Sequence, residues 1–146
     1  MTITSVNSAT FLADCVNLIR NKLKTNISAV NSRVYTSYPQ KNVIYPMITV
    51  VDRNINQPQR LGMGTEGTVL NITLEIRIWA RNVKERDELF DSVYTYLKND
   101  QLDTGTGLVE SNLNNLSLLS AVNVSEDGEA GIKSKVMEIN FMFINE

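Results

Sequence analysis

The sequence predicts an α+β fold: one domain over residues 1–146, in which two helices cover one face of a mostly antiparallel sheet whose long strands protrude beyond the core. Three observations carry this. Thr68 to Ala80 alternates almost without fault, with Leu70, Ile72, Leu74, Ile76 and Ile78 on one face and Asn71, Thr73, Glu75, Arg77 and Trp79 on the other. Two further segments carry apolar residues at helical spacing, and the C-terminal third closes with a second long alternation. One apolar sheet face needs cover, and two amphipathic helices supply it.

The first helix is expected over residues 8–24, where Phe11, Leu12, Cys15, Val16, Leu18, Ile19 and Leu23 keep the i, i+3, i+4 rhythm and Ser8 or Asn7 can cap the start. Arg20, Lys22 and Lys24 fall in its last turns, where the helix dipole favours cations. Arg33 to Tyr38 is expected as a short strand stopped by Pro39, and Met47 to Asp52, β-branched and apolar, as a second strand entered through Pro46.

Arg53 to Gly67 reads as a loop. It holds Asn, Gln, Pro58 and three glycines, and connections of that length usually carry function or lack order. The third strand then spans about 43 Å if straight, against about 38 Å for the diameter of a compact globule of this length, so it must bend, bulge or project. A projecting strand can pair with or pack on a neighbouring copy.

Asn82 and Glu85 have the spacing of a helix cap and its reciprocating carboxylate, and Leu89, Phe90, Val93, Tyr94 and Leu97 continue as a second helix over about 83–98. Gln101 to Gly107 is expected as a loop and Leu108 to Leu113 as a short helical turn. A final hairpin follows, Leu116–Ser125 and Ile132–Ile144, joined by a turn holding Gly128 and Gly131. On its second strand Met137, Ile139, Phe141 and Phe143 share one face, which Lys133 and Lys135 continue outward.

The 146 residues fit a single core, with 42% hydrophobic and 21% charged residues. No stretch approaches the ~20 apolar residues of a membrane helix, and the first residues lack a basic segment followed by an apolar run, so the product is expected to stay where it is made, without a membrane partner. Cys15, the single cysteine, lies among apolar helix positions and reads as a buried small hydrophobe. Histidine is absent, which removes the usual general base and metal ligand.

The net charge of −2 hides a gradient. Residues 1–60 hold seven Lys/Arg against two Asp/Glu, residues 61–100 five against seven, and residues 101–146 two against seven. Folding can place these charges on two surfaces that meet head to tail between subunits, or cancel them by mingling the chain ends. A pI near 5.2 lacks the basic excess expected of a nucleic-acid binder.

No catalytic constellation emerges. Gly62, Gly64 and Gly67 have the wrong spacing for a dinucleotide fingerprint and precede a strand, whereas a phosphate site needs a helix N-terminus there. Asp52, Glu66, Asp103, Glu126, Asp127 and Glu129 do not repeat as a calcium loop, so no metal and no cofactor is assigned. Tyr35, Tyr38, Tyr45 and Trp79, with Arg33, Lys41, Arg53, Arg77 and Arg81, invite comparison with base-stacking platforms, but such rings more often cover core edges or anchor interfaces.

A leading helix, the strand Tyr45-Pro-Met-Ile-Thr-Val-Val51, the long strand ending Ile76-Arg-Ile-Trp-Ala80, the charged helix Val83 to Lys98 and the closing hairpin follow one another in an order that resembles the tail terminator (tail completion) proteins of long-tailed bacteriophages and related tailed viruses. The resemblance spans nearly the whole chain. It implies a virion protein of the tail's neck region, made in the host cytoplasm. Its copies would form a hexameric ring on the head-proximal end of the tail tube, stop tube polymerisation and join the head connector. Double-stranded DNA would pass through the ring without sequence-specific binding.

The long loop would touch the tube protein or neighbouring subunits, through Arg53, Gln57, Arg60 and Met63. Stopping a polymer needs surfaces rather than chemistry, so no enzyme activity is expected. The rival readings are another neck or head–tail joining protein, a tail-tube subunit, or, in a different class, a small regulatory or ligand-binding α+β domain with compact strands and a stable dimer.

Overall fold

The computed structural model describes residues 11–41, 43–60, 68–102, 107, 113–125 and 132–145. The element order is α1 (Phe11–Asn26), a 3-10 turn (Ser28–Val30), β1 (Val34–Tyr35), β2 (Met47–Arg60), β3 (Thr68–Ala80), α2 (Val83–Leu102), β4 (Leu113–Ser125) and β5 (Lys133–Asn145). The strands form one five-stranded sheet in the order β1-β2-β3-β5-β4, with β1 parallel to β2 and every other pair antiparallel. The α+β architecture expected from the sequence is therefore the one observed.

Helix α1 packs on β1 and β2, and α2 on β3, β4 and β5. Cys15, Leu18, Ile19 and Leu23 from α1, and Leu89, Val93 and Leu97 from α2, are buried against Ile48, Val50, Ile72, Leu74, Ile76, Ile78, Met137, Ile139, Phe141 and Phe143. Each such side chain contributes about 1.5–3 kcal/mol of burial, whereas isolated helices of this length are marginal in water, so tertiary packing holds α1 and α2. Both predicted sheet faces point inward, although Leu70 is only half-buried. Lys135 does extend the β5 core face: its Nζ lies 4.5 Å from the Phe90 ring centroid and 3.3 Å from Asp87 Oδ1.

The Asn82 Oδ1 accepts the Glu85 N–H at 2.8 Å, as its position at the helix start requires. The Glu85 carboxylate reaches one residue further back than an ordinary capping box. It accepts the Arg81 backbone N–H at 3.0 Å and the Arg81 guanidinium at 3.1 and 2.6 Å. Burial pushes the Cys15 thiol up to about 12, with the Asp14 charge adding to it, which fits an unreactive core residue.

The predicted loop needs correction. Arg53 to Arg60 is strand, the outer part of β2, paired with β3 up to Arg60 opposite Thr68. The exposed edge of β3 supplies backbone partners that the Asn- and Gln-rich sequence takes despite weak β propensity, and register shifts between Asp52 and Asn54 and between Asn56 and Gln59 absorb the mismatch. β3 pairs with β5 without a shift, so the bulges of this sheet fall in β2 and β4. Residues 61–67 lie outside the described residues.

Smaller differences follow the same cause. β1 is only Val34–Tyr35. α2 runs on to Leu102, and Gln101 binds β4 through both ends of its amide, donating to Leu113 O and accepting from Leu116 N at 3.2 Å each. β4 starts at Leu113, earlier than expected, and Asn115 takes a φ of 58° where the first β4 bulge turns, a conformation asparagine tolerates. Of the helical turn expected over Leu108–Leu113, Leu113 is instead the first residue of β4, and 108–112, like the turn at 126–131 and the helix start before Phe11, lie outside the described residues.

Candidate functional site

Among the described residues helices cover one sheet face, and the opposite face and the two outer strands remain as surface. Along β3 the open face carries Asn71, Thr73, Glu75, Arg77 and Trp79, each half-buried by its neighbours. Beside them stand Val51 and Thr49 of β2, Val136, Glu138 and Asn140 of β5, and Ser117, Ser120 and Val122 of β4. Asn140 Nδ2 donates to Thr73 Oγ1 at 3.1 Å, and Glu138 and Glu75 pair with Arg53 and Arg77 at 3.7 Å. The face is polar, neutral at its centre and already bonded to itself.

At one end of this face the aromatics gather. Tyr38 meets Trp79 edge to face at 5.0 Å, Arg77 lies 5.1 Å from the Trp79 centroid, Trp79 Nε1 donates to Thr49 Oγ1 at 3.3 Å, and the Tyr38 and Tyr45 hydroxyls share a hydrogen bond. Sequence reasoning grouped five cations with these rings, but the fold assigns most of them elsewhere. Arg33 donates to Pro46 O, Arg81 binds Glu85, and Arg53 pairs with Glu138. A base-stacking groove needs rings open to solvent among free cations, whereas these rings pack on one another.

Of the four predicted contact residues, Arg53 is exposed on β2 at the first bulge. Gln57 and Arg60 lie further along the same strand rather than in a loop, and Met63 lies outside the described residues. The structure thus brings three of them onto one strand. Among the described residues no three acidic or thiol side chains converge as a metal site, and the clefts beside α2, of about 350 and 480 Å³, are lined by groups such as Lys84, Glu88, Asp91 and Tyr96 in no nucleophile–base pairing.

Among the described residues, the strand order keeps the basic part of the charge gradient at one side of the sheet. Residues 11–60, which build α1, β1 and β2 at one side of the sheet, hold seven Lys/Arg against two Asp/Glu. α2, β4 and β5, at the other side, hold five against six. β3, between them, carries Glu75 and Arg77 and is neutral. The ion pairs Lys22–Asp100 at 3.1 Å and Arg53–Glu138 offset only part of this difference.

The fold has a counterpart among solved structures. A chain in the structure described as "Virion of native gene transfer agent (GTA) particle" superposes with a TM-score of 0.59 at 9% identity, over 88% of this chain and 92% of that one. The two share a fold. No family model matches the sequence, and no curated protein does. At this identity the likeness speaks for the fold alone, over most of each chain.

Proposed function

We propose that this chain is a structural protein of a virion, and within it a tail terminator: a subunit whose hexameric ring sits on the head-proximal end of the tail tube, stops tube growth and presents the joint to the head connector. The observation that carries the reading is the fold shared, almost end to end, with a chain of a gene transfer agent virion. The order of elements that resembles tail terminators narrows it. The surfaces suit such work, since long outer strands offer edges for contacts between subunits.

The mechanism is occupancy of a polymer end. One ring face matches the growing end of the tube, and the other lacks the site for the next tube subunit. The test is native mass spectrometry of the purified chain with negative-stain images, followed by mixing with polymerising tail tubes. Six copies of 16.4 kDa give rings of about 98 kDa, and tubes end at the ring. Rings that leave tube growth unchanged but bind heads would assign the protein to head completion. A stable dimer indifferent to both would favour the regulatory-domain reading.

A further inference from the structure

The two outer strands of the sheet are finished in different ways. β1 covers β2 only at Ile48 and Thr49, so from Val50 onward the outer side of β2 has no strand beside it among the described residues. Pro58, without an N–H, limits further pairing to the stretch between Val50 and Asn56. On the opposite side β4, Leu113–Ser125, has β5 as its one strand neighbour among the described residues. Soluble proteins blunt such edges with charge, proline or shortness. β4 has no charged residue and no proline, and it runs thirteen residues; Leu119 and Val122 are 54% and 55% exposed.

We infer that β4 of one copy pairs, antiparallel, with the Val50–Asn56 stretch of β2 in a second copy, so that one sheet continues from subunit to subunit. Two observations select this occupant. β2 and β4 run in opposite directions within the sheet, so a copy that continues the sheet brings β4 against β2 antiparallel, the stronger pairing. The β2 side is basic, with seven Lys/Arg against two Asp/Glu over residues 11–60, whereas β4 carries no charge, so head-to-tail contact keeps two basic edges apart. Pairing β4 with β4 about a two-fold axis would leave the open Val50–Asn56 stretch of β2 without a strand beside it.

A head-to-tail contact repeats, and it ends only when the rotation closes a ring. Closure rests on the ring proposed above; the pairing of the two edges does not. The exposed Leu119 and Val122 then lie in an interface, which accounts for two large apolar side chains on an uncharged edge.

The experiment uses two single-cysteine probes, Asn54→Cys on β2 and Val122→Cys on β4, both exposed positions; Cys15 is buried and does not compete for a maleimide. The full-length variants are mixed under assembling conditions, free or with tail tubes, and treated with a short bismaleimide. Cross-linked pairs should form in the mixture and not in either variant alone, and the double variant should give a ladder. Dimers of Val122→Cys by itself, absence of the mixed product in assemblies that do form, or a chain that stays monomeric with and without tubes would overturn the pairing.

A second variant, Leu119→Lys with Val122→Lys, should keep its far-UV spectrum while assembly weakens about tenfold or more, as expected when charge is forced into an interface. Unchanged assembly of this folded variant would also overturn it. The outcomes separate the two proposals. Mixed cross-links on rings that do not stop tube growth would sink the terminator role alone, and capped tubes without cross-links would sink the pairing alone.

Discussion

Glu75 and Glu138 face each other directly across the β3–β5 ladder on the open sheet face. Like charges in that position repel, and each carboxylate has an arginine at 3.7 Å: Arg77 Nη2 for Glu75 and Arg53 Nη2 for Glu138. Arg53 is more than half exposed, which holds its pair within the range of surface salt bridges, about 0–1 kcal/mol. The arginines therefore offset a repulsion more than they add stability.

Glu138→Gln should accordingly be neutral or stabilising by about 0.5 kcal/mol, and Arg53→Ala destabilising by a similar amount. Urea unfolding of both and of the double variant gives the coupling. A loss above about 1 kcal/mol for Glu138→Gln would mean that the arginine pair outweighs the repulsion.

The ion pair between Lys22 and Asp100 ties α1 to α2 at 3.1 Å, with side chains only 16% and 10% exposed, beside the hydrogen bond from Asn26 Nδ2 to Tyr96 Oη at 3.0 Å. Lys22→Met removes the counter-charge of a nearly buried carboxylate, so stability should fall by about 2 kcal/mol. Adding Asp100→Asn should restore part of it. A double variant no better than Lys22→Met would show that the loss comes from packing.

Acid should act through Glu85. Its hydrogen bonds from the Arg81 guanidinium hold its carboxyl below the usual range, against an opposing effect of burial. A depressed folded-state pKa contributes stability that is complete above the unfolded value and disappears as pH falls through the folded one. The melting-temperature gap between the native protein and Glu85→Gln should therefore be widest near neutrality and close below the ordinary carboxylate range. A gap constant down to pH 2 would rule out this linkage.

Ile76 is fully buried at the centre of the sheet, with Val50 and Met137 as its cross-strand partners. Ile76→Asp places a carboxylate there without a partner, at a cost of about 4 kcal/mol or more, a large share of the ~5–15 kcal/mol of a typical domain. Circular dichroism and the fluorescence of Trp79, the single tryptophan, should report an unfolded chain. A cooperatively folded variant would mean the faces of β3 are reversed.

Local pattern made most of the fold legible. Alternation fixed β3 and β5 and their inward faces, helical spacing fixed α1 and α2, and the Asn82 cap marked where α2 begins, because side-chain period and capping are properties of neighbouring residues. The outer half of β2 was not legible. Asn54 to Arg60 has no apolar alternation, and its strand conformation comes from hydrogen bonds to β3 residues distant in sequence.

The candidate surface divides in the same way. The sequence by itself determined the charge gradient, the absence of histidine and the uncharged run that became β4. Only the tertiary structure decided that the basic first segments lie together at one side of the sheet, that Arg53 meets Glu138 across β3, and that β4 rather than β5 forms the edge. Strand order is a choice among pairings between distant segments, made by the whole core at once, and no local period records it.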